Sequence, residues 1–167
     1  ILDGENAWEY YPYNGYYFLQ GLYKQLSEHP DIELTTFSEC LDNEVEATEI
    51  PEIVAGSWVY GSFSTWIGDP DKNRGWDLLS QAKKTYDRVM KKRSFDDEMM
   101  LALERQLAIC EGSDWFWWFG DYNSGDSVSD FERLFRLHLS NLYQMLGEEV
   151  PQVLSEVVSR GGDGIEQ

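Results

Sequence analysis

The chain has 167 residues, of which 42% are hydrophobic, so its length and composition favour one packed domain of ordinary size. Thirteen basic residues against 31 acidic ones give a formal net charge of -18. A field of that sign repels nucleic-acid phosphates and anionic lipid surfaces, so we expect no nucleic acid and no membrane among its partners. Aromatic residues make up 15% of the chain. This content exceeds what core filling requires in a polar chain and suggests a surface that stacks on flat, weakly polar ligands such as sugar rings.

The first residues predict that the chain is a fragment. A strand needs about five or six residues, and only Ile1 and Leu2 precede an Asp-Gly break, so we expect the rest of that strand and its pairing partners upstream. The sequence shows no signal peptide and no apolar span. A cytoplasmic location is therefore the default expectation, although truncation would hide a signal.

The first fifty residues predict the order strand, helix, strand. Apolar residues recur at helical spacing over residues 13–28, and the helix should end at His29-Pro30 because proline removes the next backbone donor. Residues 33–37 alternate as in a strand, and Ser38 is the expected N-cap of a short helix through Leu41. This order is that of a βαβ crossover.

An acidic stretch without periodicity, residues 42–52, separates two parts of the chain, which we place at residues 1–50 and 51–167. Residues 56–74 are rich in Gly, Ser, Trp and Asp. We expect an ordered, functional loop here, because a solvated linker does not carry residues such as Trp58 and Trp66.

Helices dominate the rest of the chain. Amphipathic helices are predicted to begin at Gly75, at Ser94 as an N-cap, and at Ser127 in a capping box with Asp130. The first ends before Arg93-Ser94, the second at Gly112 and the third at Gly147, and a short helix covers residues 151–160. The predicted fold is mainly α with a short α/β portion, followed by a helical bundle region.

Several kinds of site find no support in the sequence. Cys40 and Cys110 are too few for a disulfide scaffold, and we expect both to be reduced and buried. His29 lies at a helix end and His138 in an apolar helical stripe, so both are predicted to be structural. Metal-ligand spacing, a Gly-rich phosphate loop and a Gly-x-Ser-x-Gly elbow are all missing, and we expect no metal and no cofactor.

Asp3-Gly4-Glu5-Asn6 is the first motif with catalytic potential. It follows a strand remnant and leads toward a helix, which in a barrel of alternating strands and helices is the rim that displays reactive side chains. Gly4 permits a sharp turn, so that Asp3 faces the barrel mouth while Glu5 holds a hydroxyl or raises the pKa of its neighbour. The alternative is an Asx turn that caps the following helix, and these residues alone leave both open.

Two aromatic clusters follow, at residues 56–70 and 111–121. In the first, tryptophans either line a groove or pin the loop to the helices below, and we favour pinning for Trp66. In the second, five consecutive aromatic residues cannot all be buried on one helical face, so some rings should line a cleft or interface. Asp114 is well placed to orient a ligand hydroxyl while a ring stacks on the sugar.

The motifs together resemble glycoside hydrolase family 57, which contains α-amylases, amylopullulanases, 4-α-glucanotransferases and branching enzymes. The resemblance spans roughly residues 1–151. It implies that residues 1–50 are the last βαβ portion of an incomplete (β/α)7 barrel and that residues 51–167 are a helical region packing on the barrel mouth. The motifs that carry it are Leu2-Asp3-Gly4-Glu5-Asn6-Ala7-Trp8-Glu9, Gly56-Ser57-Trp58, Trp66-Ile67-Gly68-Asp69-Pro70 with Asn73-Arg74 and Trp76, and Glu111-Gly112-Ser113-Asp114-Trp115-Phe116-Trp117-Trp118.

The resemblance also implies roles for single residues. Asp3 is the implied general acid/base of a retaining mechanism, in which a second carboxylate about 5 Å away attacks the anomeric carbon. The pKa of Asp3 must then be raised so that it keeps a proton near neutral pH. The implied substrate-binding residues are Glu5, Trp8, Trp58, Asp114 and Trp117.

The family's nucleophilic glutamate and its early histidine motif have no counterpart in this sequence. The implied partners are thus an α-glucan or oligosaccharide substrate and the upstream part of the chain's own catalytic domain, without which we expect the fragment to be inactive. The alternative function is a noncatalytic, acidic helical module that binds carbohydrate or another protein.

Overall fold

A computed structural model describes residues 10–162. The chain divides into two compact units, Ile1–Ile53 and Val54–Gln167. The division lies three residues beyond the expected boundary at residue 50.

The first unit contains a 3-10 helix, Pro12–Gly15, and two α-helices, α1 (Tyr16–Glu28) and α2 (Phe37–Asp42). Helix α1 confirms the predicted helix and ends at Glu28, with His29 as its C-cap before Pro30. Helix α2 begins two residues earlier than predicted, because its N-cap is Thr36 rather than Ser38. The Thr36 hydroxyl accepts a hydrogen bond from the backbone N–H of Glu39, and the Glu39 carboxylate accepts one from the N–H of Thr36 at 2.8 Å. This reciprocal capping box fixes the start of the helix.

The predicted strand at residues 33–37 is not seen in the structure. Residues 32–36 have no regular secondary structure, and Phe37 already belongs to α2. A strand needs a neighbour to satisfy its backbone groups, and residues 10–53 contain none, whereas Thr36 and Glu39 stabilise a helix start at the same place. Ile1 and Leu2, the other expected strand, lie outside the described residues. The βαβ piece of a barrel therefore stays a prediction.

Within residues 10–53 the only buried residue is Gly15. Large apolar and aromatic side chains on this unit are more than half exposed, among them Tyr10, Tyr13, Tyr16, Tyr17, Tyr23, Phe37 and Leu41. The described part of the first unit thus encloses almost no core of its own.

The second unit is a helical assembly around one long helix, and the predicted helical character of this region is confirmed. Its helices are α3 (Pro70–Met90), α4 (Asp97–Cys110), α5 (Asp114–Trp118) and α6 (Gly125–Met145), followed by a 3-10 helix, Gln152–Ser155. Helix α6 packs against α3, α4 and α5. In residues 54–162 the single β-type pairing is a bridge between Ser124 and Gly162. None of the helices described in residues 10–162 is long and apolar enough to cross a membrane.

The helix starts differ from the predicted ones because other residues provide the caps. Helix α3 begins at Pro70, five residues before Gly75, since Asp69 accepts a hydrogen bond from the N–H of Asp71 at 2.8 Å and proline is favourable at the first helical position. Asp96, not Ser94, caps α4 by accepting from the N–H of Met99 at 2.8 Å.

The last two predicted helices are also corrected. Helix α6 begins at Gly125 after Ser124, whose hydroxyl bonds to Ser127 Oγ but makes no capping bond to a backbone N–H, so the predicted capping box of Ser127 with Asp130 does not start the helix. Of the helix predicted for residues 151–160, only the 3-10 helix Gln152–Ser155 forms.

Three fully buried phenylalanine rings join α5 to α3 and α6. Phe116, Phe119 and Phe135 meet edge to face with centroids 5.5 to 6.1 Å apart, a favourable geometry for aromatic pairs. Gly75 makes room for them, because a Cβ there would lie 3.0 Å from Phe119 and 3.1 Å from Phe116. Trp76 then stacks on Phe116 at 3.7 Å. These ring contacts therefore fix the short aromatic helix α5 against α3 and α6.

The two cysteines differ in environment. Both are free, and Cys110 is buried as predicted, whereas Cys40 is only partly buried, so that part of the prediction is wrong. Cys40 lies in the first unit, which has almost no core to cover it. Burial raises the pKa of the Cys110 thiol to about 12.

We expect a thiol reagent to modify Cys40 but not Cys110 in the native protein, because the thiolate is the reactive form and only roughly one Cys110 in ten thousand carries it at pH 8. Counting modified thiols before and after adding denaturant checks this, with one group expected before and two after. The variant Cys40→Ser should show none in the native state. Two fast thiols in the native protein would contradict the burial of Cys110.

Candidate functional site

The site forms where helix α5 meets the loop at residues 56–69. Asp114 is the exposed first residue of α5, and Trp117 follows three positions later. Residues three apart on a helix are neighbours on its surface, so the Asp114 carboxylate and the Trp117 indole lie on the same side.

Two tryptophans of the loop contact Trp117. Trp58 lies nearly parallel to it, with centroids 6.2 Å apart and 20° between the planes, and Trp66 meets it edge-on at 5.7 Å. We call Trp58, Trp66 and Trp117 the aromatic platform. Trp58 is 85% exposed, so most of its ring is open to a ligand. The structure thus stacks Trp58 on Trp117 and places Asp114 three residues before Trp117 on α5, whereas Asp3, Glu5 and Trp8 lie outside the described residues.

Trp66 anchors the loop, as the sequence analysis favoured. Its ring packs against the hydrophobic core, and its carbonyl accepts a hydrogen bond from Trp76 Nε1 at 2.9 Å. The loop is also ordered by its own polar groups, since Ser57 Oγ donates to the carbonyl of Ser62 at 2.6 Å. Of the loop predicted over residues 56–74, residues 56–69 have no regular secondary structure, and residues 70–74 belong to α3.

The aromatic run of α5 distributes its rings over several surfaces, as predicted. Phe116 and Phe119 are fully buried, while Trp115, Trp117 and Trp118 are partly buried. Trp115 Nε1 donates to the carbonyl of Ile109 at 2.8 Å, and Trp118 stacks on Phe131 at 4.7 Å. Trp117 is the member of the run that contacts the loop tryptophans.

A buried lysine lies beneath the platform. None of the Lys72 surface is exposed. Its ammonium donates to the carbonyl of Thr65 in the loop and to that of Phe116 in α5, both at 2.6 Å, and it lies 3.5 Å from the carbonyl of Trp117. It also donates to the hydroxyl of Tyr122, over whose ring it sits 4.6 Å from the centroid. One charged group thus connects three segments of the second unit.

Burial lowers the pKa of Lys72 to about 8, because the ammonium loses its hydration, while the Asp69 carboxylate acts in the opposite direction. The side chain is therefore still mostly charged at pH 7. Burial raises the pKa of Tyr122, with Asp69 acting in the same sense, so the phenol keeps its proton.

The carboxyl end of α5 is satisfied by side chains from the segment that follows it. The carbonyl of Trp117 accepts from Tyr122 Oη at 2.8 Å and from Asn123 Nδ2 at 3.0 Å. Asn123 Nδ2 also donates to the carbonyl of Trp118 at 2.9 Å. The last carbonyl groups of a helix have no partner within it, and these side-chain donors provide one. They also fix the end of α5 to the segment that follows it.

The sequence pattern did not point to Lys72, because the helix was expected to begin only at Gly75. The available signals were the Asp69-Pro70 start and the buried positions at residues 75, 79 and 82, whose helical spacing extends back to residue 72. A lysine at the head of an apolar stripe is unusual and marks a buried charge that needs partners.

The histidines have structural partners. His138 Nδ1 lies 3.2 Å from Gln106 Nε2, which also donates to the His138 carbonyl at 2.8 Å. His29 Nδ1 accepts from the N–H of Asp31. Among residues 10–162, no three His, Cys, Asp or Glu side chains are arranged to hold a metal ion.

A polar groove of about 720 Å³ lies along the first turn of α3, away from the predicted site residues. An ion pair between Arg74 and Glu156, with a distance of 3.0 Å, forms part of its wall. The groove is lined by Asp71, Arg74, Asp121, Glu156, Val157, Val158, Arg160 and Gly161.

The first unit matches a known protein family. Residues 1–55 match glycosyl hydrolase family 57. The predicted family is thereby confirmed over this segment, which is 55 of the 167 residues. No curated protein and no solved structure gives a significant match.

The family 57 match covers the segment that carries Asp3, Glu5 and Trp8. The matched family is one of glycosyl hydrolases. The aromatic platform and Asp114 lie beyond the matched residues, so their geometry is independent of the match.

Proposed function

We propose that this chain is the C-terminal part of the catalytic region of a retaining family 57 glycoside hydrolase or transglycosidase that acts on α-glucans such as starch, glycogen and maltooligosaccharides. The observation that carries the proposal is the stack of the exposed Trp58 on Trp117, with Asp114 three residues before Trp117 on the same helix, in a chain whose first 55 residues match this family. We propose the cytoplasm as its location.

The platform has the chemistry that a sugar requires. The faces of a pyranose ring carry C–H groups that pack on an indole, and its edges carry hydroxyls that need hydrogen-bond partners. Trp58 offers an exposed ring, and Asp114 offers acceptor oxygens on the side of α5 that carries Trp117. We therefore assign one sugar subsite to Trp58, Trp117 and Asp114.

Asp3 is the proposed proton donor and acceptor. In the first step it protonates the glycosidic oxygen while another carboxylate attacks the anomeric carbon, and in the second it takes a proton from the water that releases the sugar. The proposed role requires a protonated Asp3 near neutral pH, and a negative charge on Glu5, two residues along the chain, acts in that direction. Trp8 and Glu5 are further proposed substrate contacts.

The nucleophile in this proposal belongs to the upstream part of the same catalytic domain. Residues 10–53 bury only Gly15 and expose many aromatic side chains, as expected for a surface that a partner covers. We propose that the upstream part is that partner, and that the 167-residue chain alone binds glucan without turning it over.

The replacement Trp58→Ala is expected to weaken binding of maltoheptaose to the chain about tenfold, because a stacking surface worth roughly 1.4 kcal/mol is lost. Titration followed by tryptophan fluorescence measures the affinity. Tyr60→Ala is the matched control, since Tyr60 lies on the same loop and is equally exposed, at 84% against 85%, but shows no stacking on Trp117. It should leave the affinity unchanged.

Equal binding by both variants and the wild type would remove Trp58 from the site. Turnover of glucan by the chain alone would contradict the assignment of the nucleophile to another segment. If the platform binds maltoheptaose but replacing Asp3 leaves the rate of glucan hydrolysis unchanged, the alternative function is favoured, namely a noncatalytic carbohydrate-binding module.

A further inference from the structure

The buried ammonium of Lys72 links the two parts of the chain that form the aromatic platform. We propose that Lys72 is a positioning residue, which holds Trp117 against the loop that carries Trp58 and so sets the affinity for α-glucan without touching the sugar. This inference rests on the proposed function of the platform.

The geometry of the link is direct. On the loop side, Lys72 Nζ bonds to the carbonyl of Thr65, the residue before Trp66. On the helix side, it bonds to the carbonyl of Phe116, the residue before Trp117, and approaches that of Trp117 itself. The acceptors thus lie on the backbone directly beside two of the three platform rings.

An ammonium suits this position better than other groups do. It has three donors, which match the carbonyls of Thr65 and Phe116 and the hydroxyl of Tyr122. Carbonyls at the end of α5 carry partial negative charge, so a cation is favourable there. A buried cation that loses any of these partners is strongly destabilised, and it therefore tolerates little movement of the loop relative to α5.

The consequence is a platform whose spacing depends on Lys72. If the ammonium is removed, the carbonyls of Thr65 and Phe116 lose their charged donor, and loop and helix separate or admit water. Trp66 stays anchored through Trp76, but Trp58, which is 85% exposed, has little other contact to keep it parallel to Trp117. The stack of Trp58 on Trp117 should be the first feature lost.

The test replaces Lys72 by methionine, which keeps the length of the side chain and removes the charge. Lys84→Met is the matched control, because Lys84 lies on the same helix but is exposed. Two readouts are taken well below the unfolding temperature: the exciton circular-dichroism couplet of stacked indoles and the affinity for maltoheptaose. The part of the couplet that disappears in Trp58→Phe identifies the contribution of the Trp58–Trp117 stack.

We expect folded Lys72→Met to lose that part of the couplet and about tenfold in affinity, and Lys84→Met to keep both. A folded Lys72→Met with an unchanged couplet overturns the inference, because a purely structural lysine would lower the unfolding temperature alone. If Lys72→Met does not fold, the variant Tyr122→Phe tests the inference instead. It keeps the lysine but removes the hydroxyl that links it to the carbonyl of Trp117, and it should weaken both signals. An unchanged couplet in Tyr122→Phe overturns the inference equally.

The two proposals fail in different ways. If Trp58→Ala binds maltoheptaose like the wild type, the proposed sugar site fails, whatever Lys72 does. If Trp58→Ala loses affinity while the folded Lys72 variant keeps both couplet and affinity, the sugar site stands and the positioning role fails.

Discussion

Replacing Asp3 by asparagine is expected to lower the rate of α-glucan hydrolysis at least about a hundredfold, because the leaving oxygen loses its proton donor. The assay uses maltooligosaccharides and the enzyme in which this chain works together with its nucleophile. The loss should appear in kcat, since asparagine keeps the shape of the side chain and much of its hydrogen bonding to substrate.

Asp31→Asn is the matched control for Asp3→Asn. It removes one carboxylate from the same family-matched segment, at an exposed position, and should leave the rate unchanged. Asp114→Asn should instead raise KM more than it lowers kcat, since Asp114 is assigned to substrate binding. Full activity of Asp3→Asn on maltooligosaccharides would contradict the catalytic role of Asp3.

The variant Glu132→Ala is expected to lower the unfolding free energy of the second unit by about 3–5 kcal/mol. Glu132 is 3% exposed, and its carboxylate binds Arg136 through two hydrogen bonds of 2.7 and 2.9 Å. The same Arg136 donates to the carbonyl of Leu154, and Glu132 accepts from the N–H of Val158. The pair therefore joins the C-terminal segment to α6, and alanine leaves a largely buried arginine without its counter-charge.

Asp130→Ala on the same helix provides the comparison. The Asp130 side chain is 77% exposed and lies 4.0 Å from Arg133, so its removal should change the unfolding free energy by less than about 0.5 kcal/mol. Denaturant unfolding measures both. The double variant Glu132→Met with Arg136→Leu should recover much of the loss, because no charge is left unpaired. Equal stability of Glu132→Ala and Asp130→Ala would show that the buried pair contributes little.

Periodicity predicted the helices well where the apolar face is continuous. Helix α1 and the long helices of the second unit appear where apolar residues recur at helical spacing. The first residues of the helices were predicted less accurately, because several residues that can act as N-caps lie only a few positions apart. Asp69, Asp96 and Thr36 are the N-caps, because in the folded chain their side chains can reach the free backbone N–H groups of the first turn. Residue type alone does not decide this.

The predicted strand at residues 33–37 shows a different limit of the sequence pattern. Alternation of polar and apolar side chains indicates a strand only if a neighbouring strand is present, and pairing is a tertiary property. A local capping box at Thr36 and Glu39 is satisfied within four residues. The local interaction therefore decides the structure of this segment in the described residues.

The site was predicted in part. The sequence singled out Trp58, Asp114 and Trp117, because excess aromatic residues beside carboxylates suggest a sugar surface. The structure stacks Trp58 on Trp117 and places Asp114 three residues earlier on the same helix. Lys72 could not be found in the same way. Its partners are carbonyl oxygens and a phenol, 7 to 50 residues away, and backbone carbonyls carry no sequence signal.

The most direct test of Asp3 as the acid/base of a retaining glycosidase is chemical rescue of Asp3→Ala by azide, with an aryl α-glucoside whose leaving group needs no proton. Azide is a nucleophile that needs no general base, so it should restore the rate of the second step and give a glycosyl azide of retained configuration. We predict faster turnover with azide and the α-glycosyl azide as product for this variant, and neither for the wild type. A variant that stays inactive at every azide concentration, or that forms no glycosyl azide, would contradict the assignment of Asp3.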